Sequence, residues 1–269
     1  MALKDITLGQ YFPGNSPVHR LDPRTKLICV VLYIVALFLA SWFVTYAIMF
    51  LVLAGSIAVS KVPPKSVFRG LKPVLFIVAF TAVLNLFYTP GNTVLAHFWI
   101  FTITLEGVYR AFFMVIRIMM LISGTFLLTY TTSPILLTDG LESLMGPLKK
   151  VKVPVHELAM MMSIALRFIP TLIEETDKIM SAQRARGADF ESGNLIQRAR
   201  ALLPLLVPLF ISAFRRADEL AVAMECRCYH GGGGRTRMRV LKLRGADFAA
   251  LLGGAALCVL IVVLGRFGL

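Results

Sequence analysis

The sequence predicts an all-α membrane protein, with about five transmembrane helices and a set of long cytoplasmic helices besides. Three observations carry that expectation. The 269 residues are 57% hydrophobic and 16% charged, with a mean hydropathy of +0.76, whereas about a quarter of a soluble domain is charged. The charges are partitioned, because Leu27–Ser60 and Pro73–Leu105 carry none. Residues 131–245 then combine apolar helical periodicity with 17 of the 28 Lys and Arg and show no strand alternation.

The elements follow in order. At 1.5 Å per residue, Leu27–Ser60 is too long for one crossing of a ~30 Å core. It reads as two helices turning near Ser41-Trp42, with Trp42 suited to the interface. Pro73 to about Tyr88 is a third span, closed by the turn signal Thr89–Asn92. The fourth runs from about Ala111 to Tyr130 and the fifth from Phe248 to Gly265. Residues 1–130 thus form an N-terminal membrane part of four spans, 131–245 a cytoplasmic helical domain, and 246–269 a C-terminal transmembrane helix. In all, 25 of the 28 basic residues fall in the first 26 residues, in the loop Lys61–Lys72 and in 131–245. The positive-inside rule therefore puts the N-terminus in the cytoplasm and the C-terminus outside a multi-pass cell membrane protein.

Within 131–245 two helical stretches are expected, Val155–Arg186 and Leu195–Arg227, interrupted by Pro170 and by Pro204 and Pro208. Leu158, Met161, Met162, Ala165 and Leu166 recur at helical spacing, with Glu174, Glu175 and Asp177 following. Such helices are too charged to cross a bilayer comfortably and too apolar to float free. They belong along the membrane or against partners.

Several function classes are disfavoured. A net charge of +13 invites a nucleic-acid reading, but the excess already serves cytoplasmic loops, so no nucleic acid is expected. The four cysteines form no spaced framework, Cys226-x-Cys228 is not a zinc or redox pair, and reduced thiols are expected. No cleavable signal peptide is expected, since the first 26 residues lack an apolar core segment. His19, His97, His156 and His230 are scattered, and Gly231–Gly234 lacks the lysine of a phosphate loop. No catalytic residue and no metal site are assigned.

Two arginine sites stand out: "SAQRARGAD", Ser181–Asp189, and "AVAMECRCYH", Ala221–His230. Aligned on Arg186 and Arg227, they share an aspartate nine residues upstream (Asp177, Asp218) and an alanine four upstream (Ala182, Ala223). A small residue four before an arginine shares its helix face, so a partner can approach closely beside the guanidinium. The plainer reading is a cation complementing a helix C-terminus, worth ~0.3–1 kcal/mol. Arg117 is the one charge inside an expected span. Snorkelling toward the outer interface, or pairing with another span, is expected there rather than a transport role.

These motifs carry a resemblance. "AQRARGAD" resembles the first Ala-Arg-Gly motif of the transmembrane T component of energy-coupling factor transporters, the ABC-type vitamin importers. "AMECRCYHGGGGRTRMR", Ala223–Arg239, resembles the second, and "SPVHRLDPRTKL", Ser16–Leu27, is similar to the lead into that family's first span. The likeness covers nearly the whole chain. One departure is Cys226 and Cys228, where the family often has alanine and glycine, so that helix end is open to being built differently.

The resemblance implies a coupling subunit. The ends of its two coupling helices insert into two ABC ATPase subunits, and the ATPase-docking set is Arg186, Arg227, Ala185, Gly187, Ala182, Ala223, Cys226 and Cys228. One or several substrate-binding S components rest on the apolar helix faces, for which Leu158, Met160, Met161, Met162 and Ala165 are the candidates. Flexible methionines either fill packing gaps or form a surface that accepts several S components in turn. The partners expected are two ATPases, S components and membrane lipid. No cofactor is expected on this chain, with ATP and Mg bound by the ATPases. Two rivals remain, a conventional ABC permease that forms the substrate path itself and a membrane scaffold without ATP dependence.

Overall fold

A computed structural model of the chain describes residues 11–88, 93–98, 101–190, 194–231 and 240–267. The expected turn at Thr89–Asn92, and Gly232–Gly234 with the basic tail to Arg239, lie outside the described residues. The elements are α1 (Pro23–Leu39), α2 (Phe43–Ser60), α3 (Pro64–Tyr88), β1 (Val94–Phe98), β2 (Phe101–Thr104), α4 (Leu105–Thr131), α5 (Pro134–Leu144), a 3-10 turn (Gly146–Val151), α6 (Val155–Ala185), α7 (Leu195–Cys226) and α8 (Gly245–Phe267).

Local chemistry sets most boundaries. Proline opens α1, α3 and α5, the position where its missing N–H costs no helical bond. Asp22 caps α1 by accepting the Arg24 N–H at 3.0 Å, and Thr104 caps α4 by accepting the Gly107 N–H at 3.2 Å. The turn expected near Ser41-Trp42 falls between the end of α1 at Leu39 and the start of α2 at Phe43. The small antiparallel hairpin β1–β2 is an addition to the all-helical expectation. Its base is tied to α4, since Thr93 Oγ1 donates to Glu106 Oε2 at 2.9 Å.

The chain divides into two compact units. One lies within Gly9–Gly140 and Leu241–Leu269. Its core is Ala36, Leu37, Ala40, Tyr46, Met49, Leu53, Met120 and Ile261, drawn from α1, α2, α4 and α8. α1 packs on both α4 and α8, and small residues permit the approach. A Cβ on Gly124 would stand 2.7 Å from the ring of Tyr33, so only glycine lets α4 lie this close to α1. On the other side, Cys29 Sγ meets Ala250 O and Cys258 Sγ meets Leu32 O. Those contacts run in the same order along both helices, so α1 and α8 are parallel.

The beginnings of α1 and α8 share a polar knot. Asp247 is buried, and its carboxylate accepts the backbone N–H of Asp22 at 2.8 Å and of Arg244 at 2.7 Å. Lys26, also buried, donates to Thr131 O at 2.8 Å, Thr132 Oγ1 at 3.2 Å and His19 O at 3.3 Å. The knot thereby joins the end of α4 to the starts of α1 and α8.

At the far end of α1, Arg117 pairs with another span, one of the two outcomes expected for it. Its Nη2 donates to Ala40 O at 3.0 Å and its Nε to Tyr46 Oη at 2.8 Å. The guanidinium also lies 5.8 Å from the ring centroids of Phe38 and Tyr46, within cation–π range. Arg117 closes the α1–α2 corner.

Among the described residues, five helices are long and apolar enough to cross a membrane: α2, α3, α4, α6 and α8. The number agrees with the expectation but the membership differs. α1, expected as a span, has 17 residues, about 25 Å. It packs on α4 and α8, which are both span candidates, and so shares their surroundings. α6 qualifies by length and composition, yet it carries Arg167, Glu174, Glu175 and Lys178 and packs on the charged α7. The second unit spans Leu141–Val240 and is built on α6 and α7.

Candidate functional site

The two long helices of the second unit finish in the same way. α6 has 31 residues and α7 has 32, so each extends about 45–50 Å. Arg186 is the C-cap of α6, and Gly187 follows in the left-handed region at φ +87°. The Gly187 N–H reaches back to Arg184 O and the Ala188 N–H to Gln183 O, both at 3.0 Å. That pair of bonds is a Schellman motif, which satisfies carbonyls the helix would otherwise leave open.

Arg227 is likewise the C-cap of α7. The Cys228 N–H reaches Glu225 O at 2.8 Å and the Tyr229 N–H reaches Met224 O at 3.0 Å. Cys228 itself adopts φ +56°. The second helix end therefore repeats both Schellman bonds of the first, with a cysteine standing where glycine would be strain-free. The departure noted at Cys226 and Cys228 does not alter the construction. A left-handed non-glycine residue costs ~1–2 kcal/mol.

A pair of substitutions checks this reading. A Cβ on Gly187 meets nothing within 4 Å, so the cost of Gly187→Ala is conformational alone, ~1 kcal/mol. Cys228→Gly is expected to stabilise the end of α7 by a similar amount. Hydrogen exchange at the Ala188 and Tyr229 amides should speed up about fivefold in the first variant and slow down in the second.

The two helices also cross at matching positions. Glu175 on α6 accepts from Arg216 Nη2 on α7 at 2.7 Å, and these residues stand 41 apart in sequence, the same offset that separates Arg186 from Arg227. Ser212 donates to the other Glu175 oxygen. The Ser212 hydroxyl and then the Arg216 guanidinium hold the Glu175 carboxyl below its usual value. Arg186 lies eleven residues beyond Glu175, and Arg227 eleven beyond Arg216, so each arginine stands ~16 Å along its helix from the crossing.

Every residue of the docking set is exposed: Ala182, Ala185, Arg186 and Gly187 on one end, Ala223, Cys226, Arg227 and Cys228 on the other. Of the apolar candidates on α6, Leu158, Met161, Met162 and Ala165 are exposed and Met160 is half-buried. A second apolar face on α7 was not among the expected site residues. Leu203, Val207, Phe210 and Phe214 are all more than half exposed and recur every three to four residues. That spacing is visible in the sequence, but the prolines at 204 and 208 drew attention to helix breaking instead.

Comparison with known proteins follows the same line. Residues 14–239 match the family described as CbiQ, cobalt transport protein. Three relatives are each described as "Energy-coupling factor transporter transmembrane protein EcfT". That of Clostridium kluyveri is 57% identical over 97% of this chain and 95% of its own. That of Thermosediminibacter oceani is 56% identical over 96% and 97%. That of Bacillus subtilis is 49% identical over 97% and 99%.

Proposed function

The chain belongs to the CbiQ cobalt transport protein family, and from that premise we propose that it is the transmembrane coupling subunit of an energy-coupling factor importer. Its relatives carry that transporter's name along nearly their whole length. In this reading two ATPase subunits hold the exposed ends of α6 and α7, with ATP and Mg bound on those partners. A separate S component carries the vitamin and rests on the apolar faces around Met161 and Phe210. Closure of the ATPase pair moves the two helix ends, and the crossing at Glu175 and Arg216 conveys that movement to the S component. A shared subunit serving several S components fits the methionine-rich face.

One observation carries this reading most: two arginine-tipped helix ends closed by the same pair of Schellman bonds, equally distant from the contact of Glu175 with Arg216. A pair of like ATPases needs a pair of like sites. The guanidinium forks onto a carboxylate with two parallel bonds, which transmits force in either direction. We place the starts of α1 and α8 in the cytoplasm, where the basic segments cluster, and the end of α8 outside. Purification of the tagged chain in mild detergent is expected to bring down two ATPase chains and at least one small membrane protein, with ATP hydrolysis in that complex and none in the isolated chain. Vitamin binding by the isolated chain would favour a permease that forms its own substrate path.

A further inference from the structure

The membrane unit holds a groove of about 630 Å³, in the range that ordinary ligands occupy. It lies between Cys29, Val30 and Tyr33 of α1, Ile48–Ser56 of α2, Gly124–Thr131 of α4 and Ala250–Leu260 of α8. Its rim residues Val52, Gly253, Ala256 and Leu260 are exposed. Along α8 the lining covers ~15 Å, half of a ~30 Å hydrocarbon core. The groove thus has the depth of a single leaflet, and its wall is apolar apart from Lys26, Ser56 and Thr131, of which Lys26 donates to Thr131 O.

Its polar end is basic. Leu21 lines this groove and also a second cleft of about 370 Å³, whose walls include the exposed Arg20 and Arg244. Asp247 borders that cleft as well, but its oxygens accept the Asp22 and Arg244 backbone N–H groups. Arg24 stands 3.7 Å from Asp22, and Lys26 faces both aspartates. Arg20 and Arg244 therefore carry the local excess of positive charge.

We propose that this groove is a binding site for one anionic phospholipid, its acyl chain lying between α2 and α8 and its headgroup held by Arg20 and Arg244. The occupant follows from the pairing of a leaflet-deep apolar slot with two arginines at its headgroup end. The lipid fills the gap between α2 and α8, which pack on each other far less than α8 packs on α1, and so stiffens the unit.

The test titrates the purified full-length chain in mild detergent with dioleoyl phosphatidylglycerol or dioleoyl phosphatidylcholine, counting retained lipid by native mass spectrometry. Each arginine near an anionic headgroup contributes about fivefold, so phosphatidylglycerol should be favoured by about 25-fold. Arg20→Gln with Arg244→Gln should remove the preference and leave phosphatidylcholine retention unchanged. A Cβ at Gly253 meets nothing within 4 Å, so a side chain can leave the helix there, and Gly253→Phe, its ring filling the slot in the lipid's place, should reduce retention of both lipids at least tenfold with an unchanged melting temperature. Ala256→Phe, on the same rim, repeats that test should the first variant misfold. Equal retention of the two lipids by the wild type overturns the proposal, as does a preference that survives in the double arginine variant. So does a Gly253→Phe chain that keeps its lipid but no longer joins its protein partners, because the groove then belongs to a protein.

Discussion

Replacing both Arg186 and Arg227 with alanine is expected to abolish ATP-driven uptake and to release the ATPase subunits during purification. Each arginine stands at an exposed helix end, available to an acidic groove on a partner. Losing one from a desolvated pair costs ~2–5 kcal/mol, partly because the partner carboxylate is left alone. Each single variant should therefore weaken docking by tenfold or more, and the double variant by the product if the two sites are independent. The alternative, that each arginine merely complements its own helix end, limits the loss to ~0.3–1 kcal/mol and leaves partner binding untouched. Arginine-to-lysine changes sharpen the distinction. They keep the charge that the helix end needs but lose the planar fork, so docking should still fall. Full uptake by the double alanine variant would remove both arginines from the coupling path.

The second large effect is structural. Asp247→Ala removes the acceptor for two N–H groups, those of Asp22 and Arg244, at a site where Asp247 is 1% exposed. The buried Asp22 donor left open costs ~1–3 kcal/mol, and with the part-buried Arg244 donor and the missing charge beside Lys26 a loss of ~2–5 kcal/mol is expected. Because the knot joins α1, α8 and the end of α4, the loss should appear as a lower melting temperature in detergent and a lower abundance in the membrane. Phe248→Ala, one residue along α8 and exposed, is the matched control and should do neither. An Asp247→Ala protein as stable as the wild type would mean that water replaces the carboxylate and that the corner is not anchored there.

Much of this was legible in the residues, for identifiable reasons. The charge-free run Leu27–Ser60 exceeds one bilayer crossing, so a turn had to fall inside it, and it falls at Ala40–Trp42. The bounds of α6 and α7 match their expected stretches to within a residue, because long helical periodicity is the strongest signal a sequence offers. The start of α1 was set late, at Leu27 rather than Pro23, although Asp22-Pro23 is itself a helix-opening pair. The hairpin was missed for a different reason. Residues 93–104 continue the charge-free run of α3, and hydrophobicity masked their strand-forming content. α5 was also missed, because 11 residues are too few for its periodicity to stand out.

The site was legible in its residues and not in its geometry. A shared 41-residue offset could be read from the arginines, but the meeting of Glu175 with Arg216 at that same offset depends on how two helices cross. Sequence placed the end of α7 at Arg227 but did not show which residue turns the chain there. Cys228, directly after that arginine, takes the left-handed conformation. Likewise, Arg117 could be recognised as a charge in need of a partner, while the partners, Ala40 O and Tyr46 Oη, come from the tertiary packing of α4 on the α1–α2 corner.

The most direct test of docking at these helix ends uses thiols the chain already has. Cys226 and Cys228 are exposed on either side of Arg227, whereas Cys29 and Cys258 are half-buried. A membrane-impermeant maleimide applied to the purified chain should label Cys226 and Cys228 fully. In the assembled complex with both ATPases, their labelling rate should fall at least tenfold, and it should recover when Arg227→Ala releases the ATPase from that end. Equal labelling rates with and without the ATPases would leave the end of α7 in open water and contradict its role as a docking tip.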